Sequence, residues 1–181
     1  RPRYVTVLAE SDEPAGWRPT KTTSGAILDV PTGEVVARGL CMPHSPRLHD
    51  GRLWVLDSGK GHLSKVDQQD GRVEAVASLP GYARGLACHA GFAFIGLSKI
   101  RETNIFGGLP IGEHADQLKC GVGIVEIATG RTVATLQFHS GVEEIFAVEV
   151  IPNTLNPKLC GPTLDEPNDK EIWIVPSESN S

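Results

Sequence analysis

Three stretches of the chain carry one hairpin line, and this recurrence limits the accessible folds more than any other feature. It reads Leu28-Asp29-Val30-Pro31-Thr32-Gly33-Glu34-Val35-Val36, then Val66-Asp67-Gln68-Gln69-Asp70-Gly71-Arg72-Val73, then Val125-Glu126-Ile127-Ala128-Thr129-Gly130-Arg131-Thr132-Val133. Gly33 and Gly71 lie 38 positions apart; Gly71 and Gly130 lie 59 apart because an insertion falls between Ser98 and Gly121. A spacing of about 40 residues, filled only with short strand-like runs, marks β-propeller blades. The expected class is all-β, about three to four blades, over residues 4–40, 41–80, 81–138 and the start of a fourth at 141–157.

The second unit is the cleanest. Ser45 to His49, Arg52 to Asp57, His62 to Asp67 and Val73 to Leu79 make four strands, and Asp50-Gly51 between the first two is a strong hairpin cue. The third unit aligns on the same turn, Arg84 to Ile95 against His44 to Val55. Its middle strands are separated by Lys99 to Cys120, a length of loop that usually serves a function. Residues 158–181 read as a Pro-rich polar segment with one strand-like run, Glu171 to Val175, and a flexible tail. The first unit lacks its inner strand and the last its outer ones, whereas propellers close with about four to eight blades. An open arc leaves sheet edges uncovered. The expected partner is therefore a second polypeptide or an upstream half that completes the ring, with a second copy of the chain, whose Glu144 to Ile151 would complete the first blade, as the alternative.

Charge and cysteine usage exclude several classes. With 17 Lys and Arg against 22 Asp and Glu, spread along the sequence, the chain offers no basic stripe for nucleic acid. No run approaches the roughly 18 apolar residues of a membrane span, and Arg1-Pro2-Arg3 does not open a secretory signal, so a soluble protein is expected. Cys41, Cys88, Cys120 and Cys160 form no C-x-x-C pair; buried thiols are expected over staples, and the compartment stays open. His49, His62, His89, His114 and His139 lack metal-ligand spacing, Gly121-Val122-Gly123 falls short of a dinucleotide fingerprint, and no nucleophile elbow occurs. Neither metal nor cofactor is expected.

Several phrases are long enough to be specific. Arg1 to Thr6, Gly39 to Arg47, His49 to Gly59, Leu79 to Ala87, Phe94 to Lys99 and Phe106 to Pro110 resemble the DUF4915 family of uncharacterised proteins, over Arg1 to about Pro157. Members of that family carry a comparable stretch upstream, so the resemblance implies the C-terminal half of a propeller. It implies no reaction.

Blade geometry supplies the candidate site. Inner strands line the central channel, and the entries to them place His44, Arg84 and either Glu143 or Glu144 at matching positions. An imidazole, a guanidinium and a carboxylate around one funnel suit an anionic or zwitterionic small ligand, or acid/base use of the histidine. Arg47, Lys99 and Arg101 stand on neighbouring loops as further cations for a carboxylate. Each has a plainer reading. His44, between Pro43 and Pro46, can serve only to bond backbone in a bend; Arg84 can be glue between blades; alternation lets one of Glu143 and Glu144 face the channel. Asp29, Asp67 and Glu126 sit where acidic side chains bond turn backbone. Two functions follow. One is a propeller scaffold or binding protein within a larger assembly, with a polar site at the channel mouth. The other is an enzyme acting on a small polar or anionic substrate through His44, Arg84 and Glu144, with Lys99 to Cys120 as a lid.

Overall fold

The computed structural model describes residues 2–100 and 107–155. It consists of three antiparallel sheets. The first is β1 (Tyr4–Val7), β2 (Gly25–Asp29) and β3 (Val35–Leu40); the second is β4 (Pro43–His49), β5 (Arg52–Asp57), β6 (His62–Val66) and β7 (Val73–Ser78). The third orders β8 (Tyr82–His89), β9 (Phe92–Ser98), β10 (Gly121–Glu126) and β11 (Arg131–Gln137). Strands follow one another in space as in sequence, which is the meander of a propeller blade, and the chain is all-β as its repeat implies. Asp50-Gly51 and Ala90-Gly91 join β4 to β5 and β8 to β9 with left-handed backbone, φ of 48°, 73°, 49° and 82°. Such paired positive φ matches the twist of hairpin strands.

The sheets stack face to face. In β5, Leu53 and Val55 pack with Ile27, Ala37 and Leu40 of the first sheet, while Trp54 and Leu56 pack with Ala83, Leu86, Ile95 and Leu97 of the third. Period-two alternation thus puts apolar side chains on both faces, as a middle blade requires. The hairpin glycines explain the recurring line. A Cβ on Gly71 would stand 2.6 Å from the Val36 carbonyl oxygen of the first sheet, and one on Gly130 would stand 2.3 Å from that of Val76 in the second. Each glycine turn is pressed against the outer strand of the preceding blade. Gly33, in the same turn of the first sheet, has nothing among the described residues within 4 Å of such a Cβ.

The acidic turn residues divide. Asp67 accepts from the Gln69 backbone N–H at 2.8 Å, as the turn reading holds. Asp29 also accepts from the Thr32 backbone N–H and adds the Thr32 hydroxyl at 2.9 Å and the Arg3 guanidinium, whereas Glu126 accepts from the Thr129 hydroxyl.

The segment expected to begin a fourth blade differs. Residues 142–150 carry no strand, although they run alongside the third sheet: the Glu143 carbonyl accepts the Lys99 N–H at 2.9 Å, and Ser98 Oγ bonds both the N–H and the carbonyl of Ile145. A strand ladder needs successive backbone pairs, and here a serine side chain supplies two of the bonds. Residues 1–150 form one compact unit and residues 151–181 a second. Within the latter, 151–155 are exposed. The run Glu171 to Val175, the rest of the polar segment and Cys160 lie outside the described residues. No helix among the described residues is long and apolar enough to cross a membrane.

Candidate functional site

β4 and β8 begin the second and third sheets, and each is broken by a bulge at the same place. The register slips between His44 and Arg47 in β4 and between Arg84 and Leu86 in β8. The extra residues are Ser45, with φ of 53°, and Gly85, with φ of 76°. A bulge re-aims the side chains beside it. Pro46 is tolerated there because β4 is an edge strand, where a missing N–H breaks no ladder bond. The two bulges touch, with Gly85 N–H donating to Ser45 Oγ at 3.1 Å and Arg47 Nε donating to the Leu86 carbonyl at 2.8 Å.

This contact brings His44 and Arg84 into one cluster. His44 Nε2 lies 3.1 Å from the Tyr82 hydroxyl, and the two rings meet edge to face at 5.8 Å and 76°. The Arg84 guanidinium stands 6.0 Å from the Tyr82 ring centre and 4.5 Å from that of Phe146, within reach of cation–π attraction. Burial, helped by the Arg84 charge, pushes the His44 imidazole down from 6.5 to about 4. The ring is therefore neutral at physiological pH, one nitrogen donating and the other accepting. Burial likewise raises the Tyr82 hydroxyl far above its ordinary range against the pull of Arg84, so it stays protonated.

A second repeated contact fixes the level of the following segment. Ser58 and Ser98 occupy matching places, and Ser58 Oγ donates to the Ala83 carbonyl at 2.5 Å as Ser98 Oγ does to Ile145 at 3.2 Å. Ile145 therefore corresponds to Ala83, and Phe146 to Arg84 and His44. The sequence alignment placed Glu143 or Glu144 at that level; the observed register is two to three residues further along. Glu143 is exposed and Glu144 half-buried. Arg47 reaches Glu149 of the same segment at 3.9 Å, and Lys99 is exposed. Arg101 lies outside the described residues.

Tyr82 and Phe146 were not anticipated. Tyr82 was legible in principle, since it precedes Arg84 by two positions on one strand and so shares its face. Phe146 was not, because its level is set by the Ser98–Ile145 contact between segments distant in the chain.

The described part of the insertion is packed down. Leu109, Ile111 and Leu118, on and around the 3-10 helix Pro110–Gln117, are buried with Cys41, Met42 and Tyr82. Beneath them the turn after β5 is anchored by Asp57, whose carboxylate accepts the Cys41 N–H at 2.6 Å and the Lys60 ammonium at 2.7 Å. Cys41 and Cys88 are free thiols, and burial pushes Cys41 up to about 11. Among the described residues no three His, Cys, Asp or Glu side chains converge as a metal would need.

Comparison with curated proteins yields no match. One solved structure with partial likeness is the dihydro-heme d1 dehydrogenase NirN in complex with DHE, at 15% identity and a TM-score of 0.39, over 62% of this chain. The chain spans 23% of the length of that protein. A family model described as a domain of unknown function, DUF4915, matches residues 1–160, and the chain belongs to that family.

Proposed function

We propose that the protein is a propeller scaffold that binds a partner through its open blades and holds a small anionic or zwitterionic ligand at the channel mouth. The observation that carries the assembly is Gly33. Gly71 and Gly130 each abut a carbonyl of the preceding blade, and Gly33, in the same turn, meets nothing among the described residues. A further blade, from an upstream half or a second polypeptide, would set its outer strand there.

The ligand site is the His44, Tyr82, Arg84 and Phe146 cluster, with Arg47, Lys99, Arg101, Glu143 and Glu144 as neighbouring charges. Arg84 supplies the cation for a carboxylate, and the His44–Tyr82 pair supplies oriented polar groups. An imidazole held near about 4 is poorly matched to proton transfer at neutral pH, where a catalytic value near the working pH is favoured. This supports binding over the acid/base alternative.

Asparagine tolerates left-handed backbone but carries a side chain, so Gly33→Asn tests the assembly directly. Gly51, with φ of 73° and nothing within 4 Å, is the matched comparison. Gly33→Asn should lower the particle mass seen by light scattering, or the thermal stability, while Gly51→Asn leaves both unchanged. Equal behaviour of the two variants refutes a blade at Gly33. For the ligand, the His44 ring signals should move on titration with small carboxylates and cease to do so in Arg84→Met.

A further inference from the structure

The joints between the three sheets share one construction. In each outer strand a valine bulges from the ladder and an alanine follows it: Val36-Ala37 in β3, Val76-Ala77 in β7 and Val133-Ala134 in β11. A bulge leaves its extra residue unpaired within the sheet, so it can meet another element. In β3 and β7 the valine carbonyl is the group pressed by the glycine turn of the next blade, Gly71 or Gly130. The alanine beside it is buried, Ala37 with Leu53, Val55 and Val66 of the second sheet and Ala77 with Ala83, Leu86 and Ile95 of the third.

The third occurrence of this surface is bare among the described residues. Val133 is 49% exposed, and Ala134 is exposed where Ala37 and Ala77 are buried. The matching part is bare at the first sheet. Gly33 meets no carbonyl among the described residues. Val5 pairs with Leu28 as Leu53 pairs with Val66, yet Val5 is 43% exposed and Leu53 fully buried. One turn and one bulge are left without their counterparts.

The strands are complementary in the same way. The first sheet has three strands, and its glycine turn joins the last two, so the place missing is that of the inner strand. Residues 142–150 run where the inner strand of a fourth blade belongs, fixed to the third sheet through Ser98 and Ile145. Each end holds what the other lacks.

Resting on the proposed assembly through the open blades, we infer that the partner there is a second copy of this chain. The first sheet of one copy lies beside residues 142–150 of the other and makes a four-stranded blade with them. Its Gly33 turn meets the Val133 carbonyl, and Val5 faces the strand that carries Ala134. A twofold axis repeats the joint with the roles exchanged. Two chains of three blades each close a ring of six, inside the range of about four to eight at which propellers close. Both bare surfaces and both open sheet edges are then covered, which a soluble sheet protein favours. A partner of another fold would have to supply a glycine turn at one end and a bulged outer strand at the other.

The test is the particle mass of the whole chain by light scattering across a dilution series. Two chains per particle are expected. Gly33→Asn loads the turn and Val133→Arg loads the bulge, both at exposed residues, and each should weaken pairing about tenfold or more with the circular dichroism of the fold unchanged. Mixing the two variants restores one joint of Gly33 on Val133, so pairing should recover in part. A one-chain mass for the wild type at every concentration overturns the second copy as partner and leaves the open blades to another polypeptide, with the assembly itself standing. A two-chain mass that neither substitution alters overturns the blade joint, and the assembly with it. Weakening by each variant without recovery on mixing overturns the pairing of Gly33 with Val133 across two copies.

Discussion

Lowering the pH should destabilise the protein through His44 in a window that opens above carboxylate titration and runs down into it. In the unfolded chain the imidazole has its ordinary value of 6.5, and in the fold it is pushed down to about 4 by burial and the Arg84 charge. The unfolded state therefore binds the proton first. Above 6.5 both states are neutral and the stability is at its full value; as pH falls toward about 4 the unfolded state is progressively favoured; below about 4 the loss stops growing. A gap of about 2.5 units corresponds to about 3 kcal/mol. The ring is largely buried, so solvent screening removes little of that. Urea unfolding at a series of pH values, compared with His44→Gln, isolates the effect, since the variant keeps a partner for the Tyr82 hydroxyl but cannot titrate. The wild type should lose about 3 kcal/mol more than the variant between pH 7 and 4. Parallel curves, or an NMR midpoint for His44 near 6.5, would refute the burial of a neutral imidazole beside Arg84.

Three further outcomes follow from packing. Ser58 is fully buried and its hydroxyl links the second blade to the Ala83 carbonyl, so Ser58→Ala should cost about 1–3 kcal/mol by chemical denaturation. A Cβ on Gly59 would meet Cys41 Sγ at 2.2 Å and the Cys41 carbonyl at 3.1 Å, so Gly59→Ala should destabilise by about 1–3 kcal/mol, read as a drop in Tm. Ile111→Ala removes a buried side chain that holds the insertion on Met42 and Tyr82, and about 2–5 kcal/mol should be lost. Faster proteolytic cleavage within 107–118, with the hairpins still protected, would show that the loss is local.

Much of the architecture is legible in the sequence because its causes are local. The Asp50-Gly51 and Ala90-Gly91 turns, the alternation through Leu53 to Leu56 and the recurring glycine hairpins are properties of a few adjacent residues. The membership of His44 and Arg84 in one cluster also followed from aligning the blades on those turns, for both sit just before a bulge in their strands. The insertion was harder to read. Its length and its Gly and Pro content suggested a lid, but Leu109, Ile111 and Leu118 find apolar partners on elements distant in sequence, and the described part is packed in place.

The sequence by itself determined the all-β class and the strands and tight turns of the second and third sheets. Only the tertiary structure decided what stands opposite Arg84. The level of residues 142–150 against the third blade is set by Ser98 and Ile145, a contact 47 residues apart in the chain, and it brings Phe146 rather than a glutamate to the guanidinium. The same holds for the hydroxyl of Tyr82 beside His44. Strand period and turn chemistry act within a hairpin, whereas register between blades and burial of polar atoms arise only when separate sheets pack.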